Sequence, residues 1–162
     1  MSEAAVGIGV FLENATIYTD AMSKFAERVP AYIYLTSDGP YPVSVPGTGN
    51  TLDQIIKYWY KQTIFNVSGI AQETCRDLGH TSLGISAMAH VAETARIQGI
   101  DLWMTELGVR MKAALELLTP LRTADQKIPK WLCNGRISGS LGPGMLSFAL
   151  RYKMQYGGSH VD

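Results

Sequence analysis

Between Gln72 and Thr81 the chain reads Gln72-Glu73-Thr74-Cys75-Arg76-Asp77-Leu78-Gly79-His80-Thr81. One guanidinium, two carboxylates, an amide and an imidazole fall within a few residues, just ahead of a nearly uncharged stretch. Histidine exchanges protons near neutral pH, so His80 is the residue here best suited to acid–base work. Arg76 stands four residues before it. A capped helix start with a local Arg–Asp pair accounts for the same residues equally well.

The other chemical signals are weaker. His90 falls inside a helical stretch and reads as a core or surface histidine; His160 sits in the C-terminal tail. There is no CxxC and no HExxH, and no histidine has a second ligand at helical spacing, so no metal site is expected. Cys75 near His80 would serve as a nucleophile only with an accessible thiolate, which spacing does not show. Gly139-Ser140-Leu141-Gly142-Pro143-Gly144 lacks the Lys-Ser/Thr ending and the preceding strand of a phosphate loop, and reads as a turn before a helix.

The elements that must position these residues are mostly helices. Ala4–Leu12 reads as the inside of a short first helix. Asn14–Arg28 carries Ile17, Ala21, Phe25 and Val29 at fourfold spacing and ends before Pro30. Ala31–Leu35 is aromatic and β-branched, a strand or an extended segment. Ser37–Asn50 is a loop with Asp38-Gly39-Pro40 as its turn signal. A third helix is predicted from Leu52 to about Gln62, capped by Thr51 or Asn50. A fourth runs from about His80 to Gln98, stopped by Gly99, and small residues on its other faces imply packing on several sides. A fifth runs from about Leu102 to Leu118 with Asp101 as cap, and a sixth from about Pro143 to Met154. The expectation is one helical domain over residues 1–156 and a flexible tail over 157–162.

Length and composition narrow the classes. The chain has 162 residues, the size of one domain. It carries 14 Lys+Arg against 14 Asp+Glu, for a net charge of zero. Nucleic-acid binding by bulk charge needs a basic excess, so no nucleic-acid partner is expected. Charged residues are only 17% of the chain, below the roughly 25% of an average domain, which implies cover by more chain or by a partner. No apolar run approaches the ~18 residues of a membrane span, so no membrane partner is expected. Ala4–Leu12 is apolar, but no basic segment precedes it, and it does not read as a signal peptide. Two cysteines are too few for a disulfide scaffold and enough for one bridge. Asn14-Ala15-Thr16 and Asn66-Val67-Ser68 fit the glycosylation sequon and lean towards a secreted parent.

Several segments in order resemble the alginate-lyase-like domain of polysaccharide lyases. They are Gln72–Thr81 with its RDxGHT pattern, Ala89-His90-Val91-Ala92-Glu93-Thr94-Ala95, and Gln98-Gly99-Ile100-Asp101-Leu102-Trp103. Ile8–Leu12, Val29–Leu35, Trp131-Leu132-Cys133 and Leu141-Gly142-Pro143 agree as well, so the likeness runs from about Val6 to Tyr152. The resemblance implies an all-α fold of antiparallel helical hairpins forming part of an incomplete α/α toroid, with long loops. It implies the C-terminal half of such a ring.

The implied chemistry is β-elimination on a uronic-acid polysaccharide of alginate or polyglucuronate type, with no cofactor. On this resemblance Arg76 holds the sugar carboxylate and His80 moves the proton. Gln72 and Glu73 orient the site, and Tyr32, Tyr34 and Trp131 line the groove and stack on sugar rings. The acid tyrosine has four candidates: Tyr32, Tyr34, Tyr58 and Tyr60. The Asn-bearing element that family members use upstream has no match here. The resemblance also implies a Cys75–Cys133 disulfide between two of its segments. Half a ring would expose a large apolar face, so a homo-oligomer or a missing N-terminal half is expected. The alternative is a catalytically inactive carbohydrate-binding protein or secreted effector derived from the lyase fold. A third reading is a plain helical scaffold that assembles with itself or a partner.

Overall fold

A computed structural model describes residues 2–45, 47, 51–122, 127–143 and 145. The sixth helix predicted over 143–154 and the tail over 157–162 lie outside the described residues, apart from Pro143 and Met145. The described chain is mostly helical and all-α in class. Its α-helices are α1 (Ser2–Phe11), α2 (Ala15–Arg28), α3 (Leu52–Tyr58), α4 (Leu78–Ile97) and α5 (Glu106–Leu118). Among the described residues, none of these helices is long and apolar enough to cross a membrane.

Local capping chemistry sets most of the boundaries. The Asn14 side chain accepts from Ile17 N at 3.0 Å and starts α2. Thr51 and Gln54 form a capping box at α3, which resolves the choice between Asn50 and Thr51. Asp77 caps α4, so that helix begins two residues before His80. α3 stops at Tyr58, short of the expected Gln62, because Tyr60 and Lys61 both turn to positive φ, 51° and 68°. The expected fifth helix is split: Leu102–Met104 form a 3-10 turn, Thr105 is extended, and α5 begins at Glu106.

α1 and α2 form a helical hairpin that packs on α4. The hairpin closes over Gly9, where a Cβ would lie 2.7 Å from the Tyr18 backbone nitrogen. Of the α2 stripe, Ala21, Phe25 and Val29 are buried while Ile17 stays exposed. They join Ile85, Met88, Val91 and Ala92 of α4 and Met111, Ala114 and Leu118 of α5 in the main core. This packing on several sides is what the small residues of α4 require. A second core gathers Tyr34, Trp59, Phe65, Ile70 and Leu132.

Residues 31–35 are an extended segment rather than a full strand. Ile33 bridges Ala71 in antiparallel fashion, Tyr34 N donates to Ile70 O, and Gln72 N donates to Tyr32 O. This short pairing lays the 69–72 backbone beside residues 32–34. It leads directly into the turn that carries Arg76 and His80.

Candidate active site

The turn from Gln72 to Asp77 is fastened on three sides. Cys75 and Cys133 form a disulfide that ties it to the 131–135 loop. The buried Gln62 amide secures that loop: its Oε1 accepts from Cys133 N, and its Nε2 donates to the Ile64 and Trp131 carbonyls. The Gln72 amide donates to the Tyr58 carbonyl at the end of α3. Ser138 and Gly142 close the third side, through Leu78 N to Ser138 O and Gly142 N to Ser82 Oγ. The glycine-rich 139–142 segment thus clasps the start of α4.

On this frame Asp77 does two jobs. Its Oδ1 accepts from His80 N at 2.8 Å, which caps α4, and its Oδ2 lies 2.6 Å from His80 Nδ1. The backbone hydrogen bond from His80, and after it the imidazole, hold the Asp77 carboxyl below its ordinary range. A carboxylate on Nδ1 keeps the proton there and leaves Nε2 as the acceptor. His80 is exposed, so that nitrogen is open to solvent. The local Arg–Asp pair expected from sequence is absent as such. Arg76 instead donates to Glu73 Oε2 at 3.3 Å. Partial desolvation opposes its charge, but Glu73 and the Tyr60 hydroxyl outweigh it and raise the guanidinium above its ordinary value.

A cleft of about 360 Å³ opens beside this turn. It is lined by Glu3 of α1, Phe25 and Arg28 of α2, Tyr32, Tyr58 of α3, Gln72 and Glu73 of the turn, and Gly84, Ala87 and Val91 of α4. Residues 80, 84, 87 and 91 share one face of a helix. His80 therefore lies one turn before the cleft wall, on the same face. Gly84 is small because the Tyr32 hydroxyl occupies the space a Cβ would need. That hydroxyl is buried without a hydrogen-bond partner among the described residues, and burial, followed by Glu73, pushes its pKa far up.

Gln72, Glu73 and Tyr32 thus line the cleft; Arg76 and His80 do not, Arg76 meeting it through Glu73 and His80 lying one helical turn before Gly84. Nor do two expected groove residues. Tyr34 is 1% exposed, and its hydroxyl proton serves the carbonyls of Gly39 and Phe65, each 2.7 Å away. It is a core residue and cannot stack on a sugar ring. Trp131 packs partly buried against the second core and is not part of the cleft wall. Of the candidate tyrosines, Tyr58 and Tyr60 are exposed beside the turn. Tyr60 combines left-handed backbone with contact to Arg76, and strain of that kind gathers at functional sites.

Sequence reading missed Asp77 as the partner of His80, and Arg28 as part of the cleft. The first had a signal: an Asp three residues before a His at a helix start places both on one turn. The second had none, because only the folding of α2 onto α4 brings Arg28 there. Among the described residues no three His, Cys, Asp or Glu side chains gather as a metal site would need. The chain matches no family model, no curated protein and no solved structure.

Proposed function

We propose that the chain is a polysaccharide lyase domain that cleaves a uronic-acid polymer of alginate or polyglucuronate type, and that its helical hairpins are part of an incomplete α/α toroid from a secreted parent. The observation that carries this reading is the Asp77–His80 pair, with Arg76 beside it, one helical turn from an open cleft whose wall includes Glu73, the partner of Arg76.

The proton beside a sugar carboxylate is weakly acidic, and its removal sends charge onto that carboxylate. Arg76 would bind the carboxylate and stabilise the enolate-like charge, a role suited to a guanidinium held firmly in its charged form. His80, oriented by Asp77, would take the proton from the ring carbon through Nε2. The electron pair forms the ring double bond as the glycosidic C–O bond breaks. Tyr60 would hand its proton to the departing oxygen. Each turnover then yields one unsaturated uronate end and one new hydroxyl end, with no cofactor consumed.

The test is ultraviolet absorbance of unsaturated uronate during incubation with alginate or polyglucuronate. A rise is expected. His80→Ala should cut the rate by about 10²–10⁴-fold, the usual worth of acid–base catalysis. An equal rate in His80→Ala removes the proposed chemistry. One observation favours the second reading, an inactive carbohydrate-binding protein: Glu73 already occupies the Arg76 guanidinium. Binding of the polymer without product supports that reading.

A further inference from the structure

The cleft wall holds two acids, Glu73 and Glu3, and each has a side-chain partner. Glu73 meets Arg76, and Glu3 Oε1 meets His90 Nδ1 at 2.5 Å. Arg28, in the last turn of α2, is exposed on the cleft wall and has no ion pair among the described residues. Arg28 and Tyr58 share the cleft wall closely enough to interact: burial raises the Tyr58 phenol, and the Arg28 charge opposes that rise. Phe25, Tyr32 and Tyr58 line the same cleft.

We propose that Arg28 is a second carboxylate-reading residue, which binds a uronate unit next to the one held at Arg76 and selects acidic over neutral polysaccharide. The inference rests on the polysaccharide reading above but not on catalysis. An unpaired guanidinium on an open wall can grip a carboxylate through two parallel hydrogen bonds, a geometry that a neutral hydroxymethyl group cannot return. The cleft volume falls within the about 300–1,000 Å³ usual for small-ligand sites. Arg28 also suits the C-terminal end of α2, where a cation is favoured by the helix dipole. That role needs no ligand and predicts no sugar preference, so binding separates the two.

The experiment titrates the whole chain calorimetrically with tetramannuronate and tetraglucuronate, and with the same sugars after reduction of their carboxyls to alcohols. The expected result is tighter binding of an acidic sugar than of its reduced form. Arg28→Gln should lose that preference by about tenfold, as for one charged hydrogen-bonded contact, while Arg28→Lys keeps part of it. Phenylglyoxal labelling of the unaltered chain, read by mass spectrometry, needs no variant: a bound acidic sugar should shield Arg28. Tight acidic binding with an unchanged Arg28→Gln preference and unshielded Arg28 overturns the assignment and leaves the polysaccharide reading standing. No binding of either acidic sugar overturns both.

Discussion

Two clusters of charge in this molecule use the same residue types in opposite ways. Arg110 of α5 is 2% exposed. Its guanidinium donates to both Asp38 oxygens, to Glu106 and to the Ile33 carbonyl. Burial works against its charge, but Asp38 and Glu106 outweigh it and raise its pKa. It locks the 33–38 segment onto α5. Arg76 and Glu73, and Asp77 and His80, are exposed pairs with donors and acceptors to spare. A buried, saturated cluster can only hold structure; an open one is free to take a ligand. An exposed cluster also stabilises little by itself, so its geometry must come from elsewhere. Here it comes from the disulfide, the Gln62 and Gln72 amides and the helix cap.

The contrast is broken most severely at its buried end. Arg110→Ala leaves the Asp38 carboxylate buried without its partner and should cost about 3–5 kcal/mol in urea unfolding. Arg76→Ala should leave the urea midpoint unmoved while polymer binding and turnover collapse. Equal midpoints for the two variants would dissolve the distinction.

Next is the covalent frame. Cys75 and Cys133 are 58 residues apart, a long loop in the unfolded chain. Replacing both with serine should cost about 2–4 kcal/mol in the same measurement. It should also loosen the turn, read as faster amide exchange at Arg76 and Asp77.

The smallest effect belongs to the cap. Asp77→Ala should cost about 1 kcal/mol, the usual worth of an N-cap, with surface exposure holding it near that level. Because the folded carboxyl is held below its ordinary value, its contribution is fully present above about pH 3.9, the unfolded-chain value. It fades as pH falls through the lower folded value. The stability gap between the native chain and Asp77→Ala should therefore close in acid. A gap independent of pH would show that the carboxylate charge is not what caps α4.

Much of this was legible in residue order, and the misses have physical causes. The α2 stripe, the Thr51 cap and the Pro30 stop are local signals, and they placed helices close to their observed bounds. α3 ended early because Tyr60 and Lys61 take left-handed backbone, which neither residue type advertises. Tyr34 and Tyr32 look alike in sequence, two residues apart on an extended segment. Tyr34 sends its ring into the second core, while Tyr32 borders the cleft.

Sequence alone determined the helical class, the capped turn that brings an imidazole and a guanidinium to the start of α4, and the neutral charge balance. These follow from short-range hydrogen bonding and from composition, which neighbouring residues settle among themselves. Only the tertiary structure decided that Tyr34 is withdrawn into the second core and that Arg28 reaches the cleft from α2. Those outcomes depend on which surfaces meet when distant segments bury their apolar faces together.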